Sequence, residues 1–388
     1  MFRVRFLVVP AIAMMFQSQA AFAAVPPGQP EQGPGGLDYT ESTIVKKAIG
    51  SAEAPVFVFH GSEAVRKPRP VIVFFHSWGG NDPRYYGNWI EHLARKGNLV
   101  LFPRFQEINK TKPSEATALA ARELKEALKA LAEDNAAHPD KEKIAFVGYL
   151  AGSVVALDLA AGAAGYEIPA PKLVMNVMPG GAAKDGDKKG IPLPDLSKIG
   201  SATLLVMMSG DQDYAPADRL SKQILSETTA VPAGNKLFMR ISSDRHGYPP
   251  LSATLVSPGS VNAEYAAEKI ELPPSELPEE VPVKGKKGKK SARIKWTSEM
   301  ALSGPQSTLT SQLGNNGTDN IDYRGFWKTL DLAASAAFSG KDAVFLKADP
   351  SFVDMGSWSD GWPVRRLGAE IPKDGSETTA ETSPRRRF

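Results

Sequence analysis

The chain of 388 residues contains no cysteine. That absence excludes a thiol nucleophile, a thiolate metal site and a disulfide framework. Histidine is scarce too: the five, at positions 60, 76, 92, 138 and 246, show no spacing that would gather a metal ion. Charge of one sign does not prevail either, because 46 Lys and Arg against 43 Asp and Glu leave a formal net charge of only +3. No global field therefore points to nucleic acid or a membrane surface as partner. Long apolar runs are missing as well. The run from Phe6 to Phe16 is interrupted by Pro10 and falls well short of the ~20 apolar residues a spanning helix needs.

What is present begins with a secretory pattern. Arg3 and Arg5 precede the apolar run, and Ala21-Phe22-Ala23 has the small-x-small form of a cleavage site. Residues 1–23 accordingly read as a signal peptide, and the mature protein as periplasmic or secreted. Residues 24–38, rich in Pro, Gly and Gln, read as a flexible leader, with order expected to begin near Tyr39. Residues 39–372 then form one large domain, since the alternation of strand-like and helix-like runs never restarts. Strand-like runs rich in Val, Ile, Leu and Phe fall at 56–59, 70–75, 99–103, 143–147, 173–178, 203–208 and 236–241, with helical spacing at 83–96 and 114–132. Strands apolar along nearly their whole length, with helices between them, predict an α/β fold: a mostly parallel sheet with helices on both faces. In such sheets chemistry gathers at the carboxyl ends of the strands.

The chain is organised around 143–152, KIAFVGYLAG, where a strand-type run is cut by a glycine-framed turn and followed at once by a helix-like run, 153–161. Gly148 and Gly152 would let such an elbow pack closely and lift its middle side chain above the sheet. The middle residue is Leu150, which has neither a proton to lose nor a lone pair to attack with. Two later strand ends carry an acid and a base in order: Asp211 and Asp213 after the 203–208 run, then Asp244 and His246 after the 236–241 run. An Asp and a His are what a nucleophile at the elbow would require, the ring taking its proton and the carboxylate holding the ring's tautomer. The loop His76-Ser77-Trp78-Gly79-Gly80, together with the amide after the elbow residue, would supply an oxyanion hole.

With these motifs the chain resembles the α/β-hydrolase family, in its esterase, lipase and dienelactone-hydrolase-like branch, over roughly residues 56–340. The resemblance implies the α/β-hydrolase fold and a small-molecule ester or acyl substrate, with no cofactor and no metal. It places Leu150 at the nucleophile position, Asp213 as the acid within hydrogen-bond reach of His246 as the base, and Trp78 and Ala151 as the oxyanion-hole amides. Asp211 is the competing acid. Among other serines, Ser153 would sit in the first turn of the helix and Ser77 in the oxyanion loop, neither well placed to replace the nucleophile. Two readings stay open: an exported hydrolase of carboxylic esters whose activity is weak or absent because of Leu150, and a non-catalytic pseudo-hydrolase that binds an apolar small ligand or acts as a scaffold.

Beyond His246, residues 264–295 are acidic, Pro-rich and then basic, and are expected to form a mobile charged insertion. The run from Lys284 to Lys290 is a candidate for weak contact with anionic surfaces, against the simpler reading of a solvated charge run. A helix over 323–338 would close the domain. Residues 340–372 read as a C-terminal strap whose two tryptophans, Trp358 and Trp362, dock on the body, and 373–388 as a disordered tail.

Overall fold

The computed structural model describes residues 23–64, 67–107, 110–183, 189–212, 215–273, 302 and 309–372. The expected signal peptide, Asp213, most of the charged insertion and the tail lie outside the described residues. The strands are β1 (Ile44–Ile49), β2 (Val56–Gly61), β3 (Arg69–Phe75), β4 (Leu99–Pro103), β5 (Pro139–Tyr149), β6 (Leu173–Val177), β7 (Leu204–Gly210), β8 (Lys236–Ile241) and β9 (Gly368–Glu370). They form one sheet in the order β1-β2-β4-β3-β5-β6-β7-β8-β9. From β4 to β8 all neighbours are parallel, while β1, β2 and β9 pair antiparallel at the edges.

The two-residue period of a strand explains how nearly every strand residue is buried. Phe57 and Phe59, Ile72 and Phe74, Val100 and Phe102, Val147 and Tyr149 point into one apolar cluster, while their sequence neighbours Val58, Val73, Leu101 and Phe146 point into a second cluster on the other face. The first face is covered by α1 (Gly87–Arg95), through Trp89, Ile90 and Leu93, and by α6 (Lys328–Phe338), through Leu330 and Ala333. The second is covered by α2 (Ala116–Leu131), α3 (Ala151–Ala161) and α4 (Ala215–Glu227). Two shorter helices, α5 (Leu309–Leu313) and α7 (Ala343–Ala348), belong to the later part of the chain.

Three stretches differ from the sequence reading. The leader is tied to the body rather than loose: Gly35 N–H donates to Asp331 Oδ2 at 2.7 Å, and Gln29 Nε2 donates to the Gly35 carbonyl at 3.1 Å. A Cβ at Gly35 would lie 2.2 Å from the Tyr323 carbonyl, so here glycine serves close backbone contact instead of flexibility. The start of the charged insertion also packs, because Tyr265, 2 % exposed, sets its ring 5.3 Å from that of Phe59, and Ile270 is buried behind it. Of the two strap tryptophans only Trp358 is buried, at 2 % exposure; Trp362 touches the body through the His246 ring but stays 61 % exposed.

The strap is fastened from below by Lys328 at the start of α6, whose ammonium donates to the carbonyls of Ser351 and Asp354. Burial pushes its pKa from the ordinary 10.5 down to about 8. Below that value the folded protein carries a buried charge that the unfolded chain hydrates freely. Between about pH 8 and 10.5 the unfolded chain keeps a proton the folded one has lost, so stability contributed by this residue rises with pH there. Measured by urea unfolding, the stability of the unaltered chain relative to Lys328→Met should increase by on the order of 3 kcal/mol across that window. A flat difference would show that Lys328 is hydrated in the folded state.

Candidate functional site

The elbow forms where expected. β5 ends at Tyr149, α3 begins at Ala151, and Leu150 between them has φ 50° and ψ −115°, in territory an L residue enters only when its surroundings force it. The forcing comes from both glycines. A Cβ at Gly152 would lie 2.1 Å from the Phe75 carbonyl oxygen, and one at Gly148 would lie 2.5 Å from the Ser153 Cα. Any larger residue at either position would therefore push α3 off the sheet. Leu150 N–H donates to the Val177 carbonyl at 3.1 Å, and its own carbonyl accepts from Ser153 N–H at 3.0 Å, which holds the turn between β5 and β6.

The side chain on this elbow does not stand in an open pocket. Leu150 is 1 % exposed and belongs to the same apolar cluster as Tyr86, Tyr149, Met178, Leu251, Ala253, Leu255 and Leu313. Several of these arrive with the chain that follows β8 and crosses the carboxyl ends of the strands. Tyr149 OH donates to the Leu255 carbonyl, and Gln212 N–H donates to the Ala253 carbonyl at 3.3 Å. Gly210 fits beneath that same carbonyl, since a Cβ there would come within 2.3 Å of it. Over the loop after β3, Thr310 of α5 approaches Gly79, where its hydroxyl would lie 3.0 Å from an added Cβ. Trp78 and Ala151, the expected oxyanion-hole residues, are 6 % and 0 % exposed.

The expected base and the competing acid, His246 and Asp211, each bond to other partners. His246 Nε2 is bonded to Asp360 Oδ2 at 2.7 Å, and its ring stacks on Trp362 at 5.5 Å between centroids and 14° between planes. Asp360 is held below the usual carboxylate range first by this bond and then by the Trp362 N–H. Asp213, the expected partner of His246, lies outside the described residues. The competing acid, Asp211, takes both the hydroxyl and the N–H of Ser243, at 2.6 and 2.9 Å. Asp244 binds the loop to the strap, accepting from His246 N–H, Arg365 N–H and Trp358 Nε1. Burial would raise its pKa, but these donors outweigh it and hold the carboxyl below its ordinary value.

The other candidates are likewise committed. Ser153 Oγ donates to the Gly148 carbonyl at 3.0 Å, and Ser77 Oγ shares a 2.9 Å hydrogen bond with Tyr86 OH. His76 lies flat on Phe105, 3.9 Å between ring centres, and its Nδ1–H donates to the Ser77 carbonyl. Burial takes its pKa down to about 3, which keeps the ring neutral against Phe105. Asp360 and Trp362, which hold His246, were not singled out by the sequence as partners for it. They follow it by more than a hundred residues, and no local pattern links a loop to a strap at that distance.

Five adjacent parallel strand pairs, the antiparallel β1 and β2 at one edge and the glycine-locked turn after β5 together decide the architecture. The chain has the α/β-hydrolase fold. Consistent with that, residues 56–169 match the family model of the dienelactone hydrolase family. Solved structures similar to this chain include a thermostable carboxylesterase cloned from a metagenomic library, 14 % identical, covering 53 % of this chain and 81 % of its own, with a TM-score of 0.40. An esterase of Rhizomucor miehei is 11 % identical over 59 % of this chain and 81 % of its own, with a TM-score of 0.42. A putative dienelactone hydrolase of Klebsiella pneumoniae is 14 % identical over 52 % and 85 %, with a TM-score of 0.38. No curated protein matches the sequence.

Because Leu150 is part of the core, restoring a serine should not be free of cost. Removing a buried Leu side chain typically costs about 2–5 kcal/mol, and the hydroxyl left in its place would need a partner. Leu150→Ser should lower the urea midpoint by the equivalent of about 2–5 kcal/mol at unchanged m-value. Unchanged or increased stability would show that Leu150 contributes nothing to packing.

Proposed function

We propose that the chain is an exported α/β-hydrolase-fold protein that turns over carboxylic esters at background rates or not at all, and that acts as a binding or scaffold protein. The observation that carries this reading is the burial of Leu150 at 1 % exposure beneath the chain that crosses the strand ends. In triad enzymes stripped of their nucleophile, a residual ~10³ to 10⁴-fold over water comes from the oxyanion hole and from substrate binding. A filled site supplies neither. The engagement of His246 with Asp360 and of Asp211 with Ser243 supports the same reading, since a base tied into a surface strap is not a base waiting at the elbow.

Export is supported from two directions. The chain has no cysteine to be oxidised outside the cytoplasm. Residues directly after the expected cleavage point are also built into the body: Tyr248 N–H donates to the Ala24 carbonyl at 2.8 Å, and Val25 exchanges bonds with Ser359, its N–H donating to Oγ at 2.9 Å and its carbonyl accepting from the Ser359 N–H at 3.0 Å. Cleavage after Ala23 would leave a new end already seated.

The test uses p-nitrophenyl esters and a serine-directed phosphonate probe. The unaltered chain should neither exceed buffer hydrolysis by a measurable margin nor take up the probe. Leu150→Ser should also remain without turnover, because the relay it needs is bound elsewhere. Brisk hydrolysis by the unaltered chain would overturn the proposal outright; turnover regained in Leu150→Ser would show that one substitution alone silences an otherwise intact site.

A further inference from the structure

The strap makes a tight turn at 358–362 and presents an indole at its tip. Trp358 N–H donates to the Trp362 carbonyl and Gly361 N–H to the Trp358 carbonyl, both at 2.8 Å, and Gly361 takes the φ of 87° that closes the turn. Trp362 is 61 % exposed, yet it is not loose. Its ring lies nearly parallel to that of His246, and Asp360 ties the two together, bonded to His246 Nε2 through Oδ2 and accepting the Trp362 N–H on Oδ1 at 3.0 Å. His246 is pinned in turn by Trp358, 5.7 Å away between ring centres, and by its own N–H, which donates to Asp244 Oδ1. One face of the indole is therefore backed and the other is turned to solvent. Beside it stand Tyr248, 72 % exposed, and Val25, 54 % exposed, brought there by the Tyr248 N–H bond to Ala24 and the Val25 bonds to Ser359.

We propose that this patch is a carbohydrate platform, on which Trp362 and Tyr248 stack against the pyranose rings of a neutral, β-linked glycan. A pyranose with equatorial substituents carries C–H bonds on its faces and hydroxyls around its rim, so it suits an aromatic plane with polar groups at the edge. Such groups are at hand in Arg245, Ser359 and Asp360, all exposed. A ring fixed before binding loses little freedom on stacking, which is what the His246 backing and the Asp360 tie provide. Other occupants fit less well. A nucleic acid strand also stacks on aromatic rings, but it needs an excess of cations along its path, and here Arg245 and Arg365 are matched by Asp244 and Asp360. A protein partner of standard size covers about 800 Å² on each side, more than three partly exposed side chains present. A bilayer surface takes up apolar side chains from an amphipathic helix, and none of the three lies on a helix. The platform is apart from the buried Leu150, so ester turnover at the elbow would overturn the binding reading and leave this surface standing.

The experiment is calorimetric titration of the full chain with cellohexaose, with oligothymidylate and phosphatidylcholine vesicles as comparison probes. Cellohexaose should bind at millimolar concentrations or below, and neither comparison probe detectably. Trp362→Ala should weaken cellohexaose about tenfold or more, the loss expected for one stacking ring, at an unchanged thermal midpoint. Trp362→Tyr should recover most of the affinity, and Tyr248→Ala should weaken binding by a smaller factor than Trp362→Ala. Leu37→Ala, which removes an exposed apolar side chain in the leader, should change nothing. Absence of cellohexaose binding throughout the millimolar range, affinity unchanged in Trp362→Ala, or tighter binding of oligothymidylate or vesicles than of the sugar would each overturn the proposal.

Discussion

The close approach of α3 to the sheet at Gly152 is the contact on which the rest of the architecture depends. With the Phe75 carbonyl where a Cβ would stand, β5 turns into α3 in a single residue, and that residue must accept φ 50°. The same turn delivers the chain onto the second face of the sheet, where α3 packs between β5, β6 and α2 before the chain returns to β6 beside β5. The geometry asks only for small residues at 148 and 152 and tolerates any side chain at 150 whose burial offsets the strain. Strain of this kind costs on the order of 1–3 kcal/mol. Burying a leucine contributes roughly 1.5–3 kcal/mol, so the two terms are of similar size and a leucine can hold the turn.

That balance accounts for what has happened above the strand ends. A catalytic serine would need open space, water and a free histidine, whereas a leucine needs the opposite. Leu150, Met178, Leu251, Ala253 and Leu255 are each no more than 7 % exposed and share one cluster. Polar groups near such a closure must find partners or be costly, and Asp211 and His246 have found structural ones. Asp211 binds the turn at Ser243, while His246 closes on Asp360 and Trp362. Hydrogen bonds that would serve proton transfer in a working relay here join loop to loop and loop to strap.

Much of this was written plainly in the chain, because buried parallel strands leave an unmistakable apolar signature. The seven strand-like runs correspond to β2 through β8, and the helical spacings at 83–96 and 114–132 to the helices ending at Arg95 and Leu131. The strands that escaped notice are the edges. β1, IVKKAI, is half-buried along its whole length and carries two lysines, and β9 has only three residues, so neither has the burial that makes a strand legible. The leader misled for a different reason: Gly and Pro describe a loose linker and a tightly apposed backbone equally well, and Gly35 belongs to the second case. For the site, the elbow and its glycines were legible because they are local. The pairing of His246 with Asp360 was not, because it depends on where a strap returns in space.

That strap joins the two ends of the molecule. Coming up from α7, it places Trp358 and Asp360 against the loop carrying His246, and Ser359 against Val25 near the amino terminus. It then turns and runs antiparallel to β8, Gly368 opposite Arg240 and Glu370 opposite Phe238, so that Ile371 reaches the amino end of the strand. Without β9 the sheet would end at β8, and the Phe238 ring between α4 and the edge would face water instead of the wall of a cavity. The segment that bonds His246 therefore also supplies Glu370, Ile371 and Pro372 to the wall of the cavity at the amino end of β8. Trp358 Nε1 and Arg365 N–H both donate to Asp244 Oδ2, which fixes the strap to the loop after β8. The late segment of the chain thus closes both ends of β8, its carboxyl end through the contacts of Asp244 and His246 and its amino end through β9.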